Sequence, residues 1–267
     1  MPHRAFGLAG PIRGVAYALL WRCANGLQRA GNACLLVAAA LQRPADLEAA
    51  NETHWRSLSS DDADGGLETW EQRLYDRALR PSDRVLLAGC GTGRDLVALV
   101  ERGWDVTGLD HSSEIVGLAR EALARRGLTA RVIDSFIESA ELDAHYDVIV
   151  LSGGTYSYVQ GSARRVAMLG RLASHLSAGG RFVITYGGTT PRPTLASRLM
   201  STVAGVTRAG WRPEPGDSFT RSYLVPRCLK YEHLFAPGEV ARECAEAGLR
   251  VSEERVGSAV PWLIAVR

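Results

Sequence analysis

The sequence predicts an α/β chain. The expected form is a doubly wound, mostly parallel seven-stranded sheet with helices on both faces, an N-terminal helical extension and a lid-like insertion after the fifth strand. Three observations carry this. Short apolar runs alternate with amphipathic segments between residues 84 and 186, a rhythm that calls for a parallel sheet covered on both faces. A glycine-rich turn, Gly89-Cys90-Gly91-Thr92-Gly93, joins the first apolar run to the segment that follows it. At 267 residues, with 46% apolar and 22% charged residues, the chain can bury a large core and has neither a disordered nor a multi-span membrane composition.

Residues 11–42 are mostly helix formers with interspersed arginines, and Pro44 stops that pattern before a second helical stretch from Ala45. Residues 59–66, polar and turn-rich, read as a mobile loop closing an extension over 1–66. In 67–79, Leu67, Trp70, Leu74, Ala78 and Leu79 recur at helical spacing up to Pro81. Strands are expected at 84–88, 105–110, 130–134, 146–151 and 181–186, with helices at 95–102, 113–126 and 162–176 and a turn at 178–180. From 187 to 236 the rhythm lapses, with prolines at 191, 193, 213, 215 and 226 and one helical stretch over 194–209. A helix at 237–247 and terminal strands at 249–256 and 261–266 complete a core domain over 67–267.

A formal charge of +2 is far from the basic excess used to neutralise nucleic-acid phosphates, which disfavours a nucleic-acid partner. The five cysteines form no CxxC pair, which argues against structural zinc or an iron–sulfur centre, so no metal is expected. Their odd number and wide spacing fit a reducing compartment and cytoplasmic localisation. The apolar run 33–41, preceded by Arg4, Arg13, Arg22 and Arg29, starts late and is too short to span a bilayer. It reads as a helix that packs on the domain or meets a membrane surface or another subunit.

Glycine serves the 89–93 turn in two ways. It permits backbone angles barred to other residues, and its missing side chain lets a ligand lie against the main chain. Asp110, about 20 residues past the turn at the end of the second strand, can accept both hydroxyl hydrogens of an unphosphorylated ribose. Asp134 ends the third strand, where its carboxylate or the next amide can bond an adenine; the alternative is a helix or turn cap. A dinucleotide fingerprint needs its third glycine three residues after the second, and here position 94 is arginine.

The set resembles the class I S-adenosyl-L-methionine (SAM)-dependent methyltransferases from about Val85 to Arg267. VLLAGCGTGRDL is similar to that family's first motif, VTGLDHS to the second and RVIDSF to the third; YDVIVLSGGTYSYV is similar to the fourth, and LSAGGRFVITYG to the fifth strand and its glycine turn. The resemblance implies SAM as cofactor and a binding set of Gly89, Cys90, Gly91, Gly93, Asp110, His111, Asp134, Ser135, Phe136, Ser152 and Gly153. The glycines would flank the methionine part, Asp110 the ribose, and Asp134, Ser135 and Phe136 the adenine; Ser152 and Gly153 would lie near the transferring methyl. The fourth motif reads Ser152-Gly153-Gly154-Thr155-Tyr156, without the acidic or amide residue, two prolines and aromatic found in many base-methylating enzymes. That favours a small-molecule methyl acceptor.

Methyl transfer from a sulfonium needs alignment and exclusion of water more than acid–base help. If a base acts, His233 beside the insertion is the candidate; the alternative is a strand histidine paired with Glu232 or solvent. Tyr156, with Tyr158, either walls an acceptor pocket or packs in the core. Two other readings remain: an NAD(P)-dependent oxidoreductase, and a non-catalytic SAM-binding or membrane-surface protein using the N-terminal helix.

Overall fold

A computed structural model describes residues 11–142, 145–188, 195–207, 210–258 and 260–267. Prolines 191 and 193 and the ends, 194 and 208–209, of the helix expected in the insertion lie outside them. The chain opens with helices α1 (Pro11–Ala40), α2 (Pro44–Arg56) and α3 (Thr69–Ala78). Strand β1 (Arg84–Ala88) leads to α4 (Arg94–Glu101), β2 (Asp105–Asp110), α5 (Ser113–Arg125), β3 (Arg131–Asp134) and β4 (Tyr146–Leu151). Then come α6 (Ser162–Ser174), β5 (Leu176–Thr185), α7 (Leu195–Thr207), β6 (Asp217–Arg221), β7 (Leu229–His233), α8 (Glu239–Glu246), β8 (Arg250–Arg255) and β9 (Trp262–Val266).

Seven strands form one sheet in the order β3-β2-β1-β4-β5-β9-β8, parallel except where β9 enters antiparallel between β5 and β8. The central strands are buried on both faces, hence their unbroken apolar runs. Leu86, Ile149, Leu151, Phe182 and Ile184 face α6 and α8 through Met168, Leu172, Val240 and Cys244. Val85, Leu87, Val148, Val150 and Val183 face α3, α4 and α5 through Leu74, Leu96, Val116 and Leu123.

Three expectations are corrected. Residues 60–65 form a 3₁₀ turn instead of a free loop: Ala63 is buried and Asp64 pairs with Arg126 at 3.3 Å. Strand β5 begins at Leu176, before the expected glycine turn, because pairing with β4 jumps from Tyr146↔Leu176 to Val148↔Arg181 and residues 178–180 become a bulge. The insertion also contains an antiparallel hairpin, β6–β7. Two five-residue strands are marginal alone. Here Phe219, Tyr231 and Leu229 are covered by Ala39 and Ala40 of α1, Leu47 of α2, and Met200 and Ala204 of α7. The extension and the insertion therefore share one small core and together form a cap.

Asn51 of α2 fixes that cap. Its buried amide accepts from the Tyr231 amide at 2.7 Å and donates to the Tyr231 carbonyl at 3.1 Å, closing the edge of β7 as another strand would.

Candidate active site at the carboxyl edge of the sheet

Beyond β1, the amides of Gly89 and Cys90 donate to the Leu109 carbonyl at 2.7 and 3.0 Å, drawing the glycine turn over β2. Gly89, Gly91 and Gly93 have φ of +77°, +55° and +96°, the left-handed region. The space around them separates their roles. A Cβ on Gly89 would lie 2.4 Å from Thr155 Oγ1, and one on Gly93 3.1 Å from Ala119 Cα. A Cβ on Gly91 would meet nothing within 4 Å, so bare backbone faces open space there. Cys90 is buried with its sulfur against Gly108, and burial pushes its thiol well up, reinforced by the Asp110 charge. Its side chain is packing, and only its main chain is placed to meet a ligand.

Asp110 braces the turn. One carboxylate oxygen accepts the Gly91 amide at 3.0 Å and the other the His111 amide at 2.9 Å. The parallel register sets Asp134 beside Asp110, and the Ser135 amide donates to the Asp110 carbonyl at 2.8 Å. His111 and Phe136 stack with ring centroids 4.9 Å apart, and Phe136 remains 55% exposed. Ser112 caps α5 by position, but its hydroxyl bonds Glu114 instead of a helix amide. At the end of β4, the carbonyl of buried Ser152 accepts the Thr155 amide at 3.0 Å and its hydroxyl at 2.8 Å. Exposed Gly153 has φ +58° and open space where a side chain would stand. The glycine turn, Asp110, His111, Asp134, Ser135, Phe136, Ser152 and Gly153 thus share one edge of the sheet.

Beneath the turn lies a polar cluster that the sequence did not announce. The Tyr75 hydroxyl donates to Asp95 at 2.5 Å, and Arg94 pairs with both Asp95 and Glu71. It ties α3 to the start of α4.

The two catalytic candidates fall elsewhere. Tyr156 is fully buried, stacked on Phe235 with its hydroxyl donated to Glu243 at 2.5 Å. It packs in the core instead of presenting its ring to a ligand. His233 is also fully buried, with Nδ1 2.8 Å from Asp217 and Nε2 3.1 Å from Glu239. Burial lowers its pKa, but the hydrogen bond to Asp217 and the two carboxylate charges outweigh that and raise it above 6.5. With both nitrogens donating to carboxylates, it has no lone pair for a substrate proton. Glu214, Asp217 and His233 bring three ligand atoms within 4.8 Å, yet Glu214 is held by Arg165 and His233 by Asp217.

A group whose folded pKa lies above its unfolded value stabilises fully below the unfolded value and loses that contribution as pH rises through the folded one. We expect His233→Gln to cost most stability below pH 6.5 and progressively less above it. Urea unfolding of both proteins across that range checks this; a difference independent of pH would refute a protonated His233.

Strand alternation explains why His233 misled. Along β7, Tyr231 and His233 are buried, whereas Lys230 and Glu232 alternate with them and face the sheet's edge. A Cβ on Gly187 would lie 2.9 Å from Glu232 Oε1, and one on Gly154 would lie 3.6 Å from the Tyr158 hydroxyl. Lys230 Nζ sits 5.0 Å from the Trp55 ring centroid and 5.1 Å from that of Tyr158. His54 and Tyr223 extend the aromatic group, their centroids 5.1 Å apart. Of these residues, the sequence offered Tyr158 as a pocket wall and Glu232 only as a partner of His233; Lys230, His54, Trp55 and Tyr223 went unmarked. The missing signal was the period of two in LKYEH, which separates Lys230 and Glu232 from their buried neighbours.

The fold is that of the class I SAM-dependent methyltransferases, and residues 85–180 match the family model described as a methyltransferase domain. Among solved structures, a SAM-dependent methyltransferase from Methanosarcina mazei is similar with a TM-score of 0.60 and 20% identity, covering 76% of this chain and 98% of that one. Among curated proteins, a cypemycin N-terminal methyltransferase from a Streptomyces species is 31% identical over 103 residues, 38% of this chain and 41% of the relative. The glycine/sarcosine N-methyltransferase of Halorhodospira halochloris is 30% identical over 107 residues, 39% of this chain and 40% of the relative. The chain thus spans about two fifths of the length of these curated relatives.

Proposed function

We propose that this chain is a methyltransferase that takes a methyl group from SAM and places it on a small-molecule acceptor. The observation that carries the reading is the bare, left-handed backbone at Gly91, held by the same carboxylate, Asp110, that ends β2. The residues fit the cofactor. Open space over Gly91 accommodates the methionine portion, Asp110 and Asp134 stand side by side for the nucleoside, and Phe136 offers an exposed ring face to adenine. SAM supplies a methyl on a sulfonium; the acceptor's lone pair forms the new bond as the C–S bond breaks, leaving S-adenosylhomocysteine.

The protein's part is alignment and water exclusion, through Ser152, Gly153, Tyr158 and the cap above them. The cap is proposed as the acceptor's lid. Titration calorimetry with S-adenosylhomocysteine and NADH tests the donor: heat with the first and none with the second is expected. The reverse would establish the oxidoreductase reading.

A second property has its own support. Val15, Tyr17, Leu19, Leu20, Trp21 and Leu27 are exposed on α1, Leu20 by 70% and Leu27 by 75%. Residues 1–45 hold five arginines, Arg4, Arg13, Arg22, Arg29 and Arg43, and no acidic residue. Like charge opposes pairing with a second copy, so we assign this helix to the surface of an anionic bilayer. Among the described residues no helix is long and apolar enough to cross one. The full chain is expected to float with phosphatidylglycerol vesicles, and the double variant Leu20→Glu, Trp21→Glu to stay behind. Equal flotation of both would sink the assignment.

A further inference from the structure

Resting on the methyltransferase reading, we propose that the acceptor is a carboxylated amine, bound between two opposite charges on one face of β7. Lys230 and His54 receive the carboxylate, and Glu232 receives the ammonium. The ammonium proton passes to the Glu232 carboxylate or to water and frees the nitrogen lone pair that takes the methyl as the C–S bond of SAM breaks.

The face carries two charges with no mutual partner. Lys230 and Glu232 are two residues apart, both half-buried, and neither has an ion pair among the described residues. The Lys230 ammonium is held instead against the rings of Trp55 and Tyr158. Aromatic faces steady a cation without neutralising it, so its charge stays available to an anion.

His54 adds an independent sign. Ser222 Oγ accepts the amides of Leu224 and Val225, at 3.1 and 2.8 Å, which occupies both its lone pairs. Its proton therefore goes to His54 Nδ1, 2.8 Å away. That makes Nδ1 the acceptor and places the ring hydrogen on Nε2. Fully buried, Nε2 has no hydrogen-bond partner among the described residues. Burial, and then the Lys230 charge, lower the His54 pKa and keep the ring neutral. A buried N–H without an acceptor is costly, and a carboxylate oxygen is the partner it lacks. The ring belongs to the same aromatic group, 4.7 Å from Trp55 between centroids.

Glu232 supplies the other pole. Its carboxylate reaches Gly187, just past the end of β5, and its charge, after burial, raises the neighbouring Tyr158 hydroxyl's pKa. An amine there lies beside Tyr158 and Gly154, next to the segment proposed to face the methyl group. With cation and anion sites on alternate residues of one strand, this face is dipolar, matching an amine and a carboxylate on one small molecule.

The test is calorimetry on the whole protein saturated with S-adenosylhomocysteine, using glycine, glycylglycine, glycinamide and ethylamine as probes. Glycine or glycylglycine is expected to bind at least about tenfold more tightly than glycinamide or ethylamine, the scale of one charged hydrogen bond. Lys230→Met should erase that preference while leaving S-adenosylhomocysteine affinity and glycinamide affinity unchanged; a purely structural lysine would lower all three. Glu232→Gln should weaken every amine probe. The proposal is overturned if the loaded protein binds no carboxylated amine, binds glycinamide as well as glycine, or loses both alike in Lys230→Met. Failure to bind S-adenosylhomocysteine at all would instead bring down the methyltransferase reading.

Discussion

Replacing Arg165 with methionine is expected to destabilise the folded chain by about 3–5 kcal/mol, the cost of stranding buried carboxylates without their cation. Arg165 lies on α6 and is wholly buried. Its guanidinium donates to Glu243 at 2.7 Å, to Glu214 at 3.0 Å and to the Val159 carbonyl at 3.2 Å, and it stands 5.0 Å over the Phe235 ring. Methionine fills much of the volume and supplies none of the donors. The loss has a pH signature. Burial pushes the Glu243 pKa up, but hydrogen bonds from Arg165 and Tyr156 pull it below 4.5. A depressed carboxylate stabilises above its unfolded pKa and loses that contribution as pH falls through the folded one. The gap between wild type and variant should therefore be widest near neutrality and narrow toward pH 4. Urea unfolding at both pH values measures it; a neutral-pH loss under about 1 kcal/mol, the size of a surface pair, would show that the cluster is solvated.

The second large effect concerns Asp110→Ala. Losing charged hydrogen bonds of about 1.5–3 kcal/mol should weaken S-adenosylhomocysteine binding by roughly 10- to 150-fold. Two causes act together on the proposed site: the ribose loses its acceptor, and the Gly91 amide loses the carboxylate that holds the turn. Asp110→Asn separates them, because its amide oxygen can still accept from Gly91 but carries no charge. An intermediate affinity for Asn is expected by calorimetry. Unchanged affinity in a folded Ala variant would remove Asp110 from the site.

Much of the fold was legible because local rules and the global answer agree. The runs at 84–88, 105–110 and 146–151 are short and followed by turn residues, and each is a strand with those bounds. The β6–β7 hairpin was not legible, since its strands gain stability from α1, α2 and α7, segments far away in sequence. Residues 178–180 read as a turn because glycine and alanine favour one; only pairing with β4 makes them a bulge.

The site divides in the same way. The glycine spacing and the carboxylates at 110 and 134 follow from strand ends, so the sequence by itself determined the sheet, the turn and the edge at which the proposed SAM site lies. Which residues line the face proposed for the acceptor was decided by tertiary structure. His233 and Glu232 are adjacent; the period of two in LKYEH puts them on opposite faces but does not by itself tell which face is the interior. The cap decides: Asp217 and Glu239 draw His233 into the interior, and β-strand alternation then turns Glu232 and Lys230 toward the sheet's edge. Tyr156 and Tyr158, two residues apart, separate likewise, one onto Glu243 in the core and the other under Lys230. A buried charge must find its opposite, and those opposites come from elements that only folding brings together.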